Sequence, residues 1–164
     1  MSRVFQSKKK SLTQTAQQFS ARSPAMKLIR IDACDDEWRA LVMLDTKTLA
    51  QRSDGTIKTA SPIVIGIRYH ERFLAEAPHP CEIVTVFQPV GVFHPNCARS
   101  GAMCLGHPPA GLGLDFILHQ VWAGLNYNMR TVNTRPFEVL NRDAAEFVRN
   151  NAERFPLSTR GLFE

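Results

Sequence analysis

The 164-residue chain has no run of about 18 consecutive apolar residues, so no membrane-spanning helix is expected. No apolar block follows the polar segment that opens it, which ends in Lys8-Lys9-Lys10, so that segment does not read as a secretory signal. Its four cysteines, at 34, 81, 97 and 104, contain no C-x-x-C pair. That spacing is unlike common structural zinc sites, and in a domain of this size it reads as reduced thiols in a cytoplasmic protein. Zinc-finger spacing and aromatic–basic interleaving are also missing, so nucleic acid is not the expected partner. No internal repeat and no low-complexity tract is present.

What is present is an ordinary globular composition, 44% apolar and 21% charged, long enough for one domain with a sizeable core. The formal charge is +5, with a local excess at Lys8, Lys9 and Lys10. Residues 2–22 place Phe5, Leu12, Ala16 and Phe19 near one helical face, and Ser23-Pro24 closes the segment. The three lysines lie mostly off that face. They read as a solvated surface or as a docking site for an acidic partner.

Four strands are expected next. Residues 26–32 and 37–45 flank a short turn, which makes an antiparallel hairpin with Trp38, Ala40, Val42 and Leu44 on one face. A polar loop with a turn at Ser53-Asp54-Gly55 leads to residues 62–70, where Ile63, Ile65, Ile67 and Tyr69 share a face. Residues 81–87 form the fourth strand. Residues 89–113 then have neither period and little charge, as befits a packed loop that displays something. Leu114, Ile117, Leu118, Val121, Trp122 and Leu125 recur at helical spacing. Asn141 can cap a last helix from Arg142 to Phe155, with Ala144, Val148, Ala152 and Phe155 buried and Pro156 as the stop. Strands run together and helices follow, which predicts an α+β domain: a basic helix (1–24), a four-stranded antiparallel meander (25–88), a long loop (89–113) and two helices (114–157).

The loop carries the candidate chemistry. Cys104 lies among small residues, Gly101-Ala-Met-Cys-Leu-Gly106, that let a substrate backbone approach a sulfur nucleophile. Asn96, eight residues earlier, has a side-chain amide able to donate to an oxyanion. A buried inert thiol is the plain alternative for Cys104. Zinc held by some of His79, Cys81, His94, Cys97, Cys104 and His107, or a cysteine–histidine dyad with His94 or His119, are two others.

His94-Pro95-Asn96, then Gly101, then Cys104-Leu105, in this spacing, resembles the ubiquitin-conjugating enzyme family. Supporting likenesses run along most of the chain: the strand Ile63–Tyr69, Phe73 with Pro78 and Pro80, the strand Glu82–Phe87, and Leu140-Asn141-x-x-Ala144-Ala145 ending near Arg154-Phe155. The resemblance implies the ubiquitin-conjugating fold and a transthiolation carrier. Cys104 would accept a ubiquitin-like protein from an activating enzyme as a thioester and pass it to a target amine, with no metal or cofactor. It further implies that Asn96 steadies the oxyanion or the loop, and that His94, Pro95, Gly101 and Leu105 support the loop. The basic helix with Lys8, Lys9 and Lys10 would dock the activating enzyme. The chain departs from the family in three places. Cys97 follows His-Pro-Asn, Pro108-Pro109-Ala-Gly-Leu112 replaces the tryptophan segment, and residues 126–135 hold no acid. Glu138 is the nearest candidate to orient an acceptor, with Asp143 behind it, and His107 and His119 are candidate local bases. Such departures resemble compact bacterial members encoded beside a ubiquitin-like protein, several of which act in antiphage defence. A catalytically inactive binding module of the same fold is the alternative.

Overall fold

The computed structural model describes residues 2–135 and 139–164. The helix α1 (Arg3–Arg22) is opened by Ser2, whose hydroxyl accepts from the Phe5 amide. It buries Phe5, Leu12 and Ala16, with Phe19 half-buried beside them. Against it lies a five-stranded antiparallel sheet in the order β1 (Met26–Ala33), β2 (Glu37–Leu44), β5 (Ile63–His70), β6 (Val84–Gln88) and β7 (Ala102–Met103). The remaining strands, β3 (Thr48–Gln51) and β4 (Ile57–Ala60), pair only with each other.

The register of β2 and β5 explains the core. Trp38 faces Tyr69, Ala40 faces Ile67, Val42 faces Ile65 and Leu44 faces Ile63. Alternation sends all eight side chains to one side of the sheet, and all eight are buried. The Trp38 indole N–H would be an unpaired donor in that core, and it donates to the Thr13 hydroxyl of α1 at 3.0 Å. The helix α2 (Leu114–Leu125) adds Leu114, Ile117, Leu118, Val121 and Leu125 to the same core. A smaller cluster of Leu49, Phe93, Tyr127, Val132, Ala144 and Val148 lies beneath the loop that carries the candidate residues. The helix α3 (Arg142–Asn150) is capped by Asn141, whose side chain accepts from the Ala144 amide.

Four details correct the sequence reading. The meander gains a fifth strand, because β7 pairs with β6 through Val84–Met103 and Thr85–Ala102. The polar stretch after β2 is a hairpin, with Leu49 fully buried. The last helix ends at Asn150 and tightens into a 3-10 turn at Ala152–Arg154, which leaves Ala152 exposed rather than in the buried stripe. The three lysines also do not share a solvated face. Lys9 is buried, its ammonium donating to the Cys34 carbonyl at 2.8 Å and the Asp35 carbonyl at 3.4 Å. Lys8 donates to the carbonyls of Gly111 and Leu112, both at 2.9 Å. Burial pulls its pKa down while Asp115 works the other way. Two of the three charges thus tie α1 to the β1–β2 turn and to the end of the long loop, and Lys10 remains exposed. Among the described residues no helix is long and apolar enough to cross a membrane.

Candidate active site

The loop between β6 and α2 is held by its own backbone and by His94. That side chain is completely buried. Its Nδ1 accepts from the Asn96 amide at 3.0 Å, so Nε2 carries the proton and donates to the Gly124 carbonyl at 2.8 Å. The ring also lies against Tyr127, 4.6 Å between centroids. Both nitrogens are committed, so His94 is neither a base toward Cys104 nor a metal ligand. Burial holds its pKa well below the usual histidine range, at about 4, and the Gly124 bond offsets only part of that. Pro95 is buried, and its carbonyl accepts the Leu140 and Asn141 amides, which fastens the loop to the start of α3.

The depressed His94 pKa has a consequence for folding. The unfolded chain takes up this proton near pH 6.5, whereas the folded chain does so only near pH 4. The stability it contributes is therefore whole above pH 6.5 and drains away as pH falls to 4. The loss amounts to about 3 kcal/mol at the acid end. Urea denaturation of wild type and His94→Gln at pH 7 and pH 5 is expected to show the steeper acid loss in wild type. Equal slopes would contradict a neutral buried ring.

Asn96 points across to the segment before α3. Its amide nitrogen donates to the Thr131 carbonyl at 3.2 Å, and its oxygen accepts the Asn133 amide at 3.2 Å. The Asn96 carbonyl accepts the Cys104 amide at 2.7 Å. One residue thus sets both the backbone under Cys104 and the opposite wall of the site. An amide nitrogen carries two donors, so holding Thr131 and donating to a reacting oxygen are compatible. Asn96→Ala is expected to cost about 1–3 kcal/mol and to release the Asn133 amide to hydrogen exchange. Asn96→Asp keeps the acceptor and is expected to keep that protection.

Cys104 is half-buried and lines an open groove of about 340 Å³ with Asn96, Leu105, Gln120, Arg130 and Asn133. Leu105 is buried, and its amide donates to the Pro80 carbonyl at 3.1 Å. The groove is lined by no carboxylate among the described residues, and Arg130 is its charged group. Glu138, the expected acceptor-orienting acid, lies outside the described residues. Asp143 is exposed in the first turn of α3. His119 is not at the groove but packs against the paired rings of Phe19 and Phe163, and His107 is exposed and does not line the groove.

Cys97 is fully buried, and burial pushes its thiol far up. The neighbour that sequence spacing does not single out is Cys81. Burial raises its thiol to about 11, with smaller contributions from the neighbouring Cys104 thiol. The pairing comes from the turn at residues 79–82, closed by the Glu82 amide on the His79 carbonyl at 3.1 Å, in which the Pro80 carbonyl accepts the Leu105 amide. Among the described residues no group of three or more histidine, cysteine or acidic side chains is placed to hold a metal ion.

Compared with known proteins, the chain matches no family model and no curated protein.

Proposed function

We propose that this protein is a ubiquitin-like conjugating enzyme with the ubiquitin-conjugating fold, acting in the cytoplasm. The observation that carries the reading is the placement of Cys104. Its sulfur opens into a groove while its own amide is clamped to the carbonyl of Asn96, inside a loop locked by buried His94. A thioester carrier needs such a site: a nucleophile that is reachable, fixed in position and free of a strong neighbouring base that would hasten hydrolysis. The order of one helix, an antiparallel meander, a cysteine loop and two helices supports the same reading.

In the proposed cycle the Cys104 thiolate attacks the carbonyl carbon of a thioester on the activating enzyme. The new C–S bond forms as the old one breaks and the activating enzyme's sulfur leaves as a thiolate. The ubiquitin-like protein then rests on Cys104 until a target amine attacks the same carbon and releases the Cys104 thiol. Asn96 holds the wall of the groove in both steps. Activating-enzyme docking at the basic helix falls to Lys10 and its exposed neighbours, since Lys8 and Lys9 are occupied internally. A defence role in bacteria belongs to the same proposal and rests on the sequence resemblance alone.

The test is a charging reaction with a ubiquitin-like protein, its activating enzyme and ATP, resolved on a non-reducing gel. A reductant-sensitive adduct of the protein is expected. Its absence, with the activating enzyme shown to be charged, would sink the proposal.

A further inference from the structure

The pair formed by Cys81 and Cys104 is unused by the proposed cycle. Two backbone connections bring it about. The Leu105 amide donates to the Pro80 carbonyl at 3.1 Å, which seats residues 80–81 beside 104–105, and the Cys104 amide donates to the Asn96 carbonyl, which fixes the sulfur's own backbone. The two thiols are then close enough to influence each other electrostatically. Each is open to a different side of the molecule. Cys104 lines the groove under Asn96, and Cys81 lines a second groove on the outer sheet face with Arg68, Glu82 and Phe87. Cys97, closer to Cys104 in sequence, is sealed in the core.

We propose that Cys104 is a site of reversible oxidation by hydroperoxides and that Cys81 is its resolving cysteine, closing a Cys81–Cys104 disulfide. In the first step the Cys104 thiolate attacks an oxygen of hydrogen peroxide. The S–O bond forms, the O–O bond breaks and hydroxide leaves, so sulfur is oxidised and peroxide reduced. In the second step the Cys81 sulfur attacks the sulfenic sulfur. The S–S bond forms, the S–O bond breaks, and the departing oxygen and the earlier hydroxide take up protons. In sum, two thiols and one peroxide give one disulfide and two waters. A thiol reduces the disulfide and returns the pair. The disulfide's consequence for conjugation rests on the function proposed above: a carrier with its sulfur in a disulfide cannot be charged, and it is spared irreversible oxidation.

The test uses the full-length reduced protein with a several-fold molar excess of hydrogen peroxide, followed by alkylation and peptide mapping without reductant. In wild type and Cys97→Ser the expected product is the Cys81 peptide linked to the Cys104 peptide, with the loss of two hydrogens, reversed by dithiothreitol. In Cys81→Ser the link is absent and Cys104 proceeds to sulfinic acid. Sulfinic acid on Cys104 forming as fast in wild type as in Cys81→Ser, or a Cys97–Cys104 link, would overturn the proposal. This readout needs no activating enzyme, so it fails or succeeds independently of charging. In the charging reaction the oxidised wild-type protein is expected to form no adduct until reduced.

Discussion

Cys104→Ser is expected to abolish the reductant-sensitive adduct completely and to leave, at most, a reductant-resistant ester with the ubiquitin-like protein. A serine hydroxyl occupies nearly the same place, so the backbone bond to Asn96 and the groove are retained. The hydroxyl is a far weaker nucleophile at neutral pH, and an oxyester is much less reactive toward amines than a thioester. Any ester formed would therefore accumulate rather than turn over. Cys34→Ser and Cys97→Ser serve as controls. Cys34 is exposed in the turn between β1 and β2, and Cys97 is buried away from the groove. Both variants are expected to keep the thiol-sensitive adduct. If Cys104→Ser still formed it, another sulfur would be the carrier, and the site built around Asn96 would lose its meaning.

Much of this architecture is legible along the chain because burial imposes a period. Trp38 to Leu44 and Ile63 to Tyr69 alternate because one face of each strand meets α1 and α2. Leu114 to Leu125 repeats at helical spacing because one stripe of α2 faces the same core. The elements that escape such reading are those too short to show a period or built by distant partners. Strand β7 is two residues, Ala102 and Met103, and exists because β6 lies beside it. Strand β3 buries Thr48 and Leu49 in succession, with no alternation to read. Lys9 reads as a surface residue until the carbonyls of Cys34 and Asp35, 25 and 26 positions away, are brought to its ammonium. The candidate site divides in the same way. His94, Asn96 and Cys104 fall within one short stretch and can be picked out together. The Cys81 thiol arrives beside Cys104 only through the Pro80–Leu105 backbone bond.

Gly101→Ala is expected to be the most damaging of the conservative changes in the loop, costing about 2–4 kcal/mol, and Gly106→Ala only about 1 kcal/mol. Both glycines flank Cys104 and both have left-handed backbones, with φ of +88° and +77°. A left-handed φ alone costs an alanine about 1–2 kcal/mol, and that part is common to the two sites. They differ in what the new methyl meets. At Gly106 nothing lies within 4 Å. At Gly101 the methyl would fall less than 3.0 Å from the Val86 carbonyl oxygen. That oxygen belongs to a strand held by β5 on one side, and the Val86 amide donates to the Gly101 carbonyl at 2.8 Å on the other. It cannot move aside as a flexible side chain would. Relief has to come from residues 98–101 instead, which breaks the turn in which the Gly101 amide donates to the Ala98 carbonyl at 2.9 Å. That turn precedes β7, and β7 leads directly into Cys104, so a displaced turn moves the sulfur as well. Chemical denaturation of the two variants checks the stability difference. Charging at a temperature where both remain folded checks the second part, with Gly101→Ala expected to charge more slowly than Gly106→Ala. Equal stability of the two variants would mean that the Val86 carbonyl yields, and the rigid seat argued for Cys104 would have to be given up.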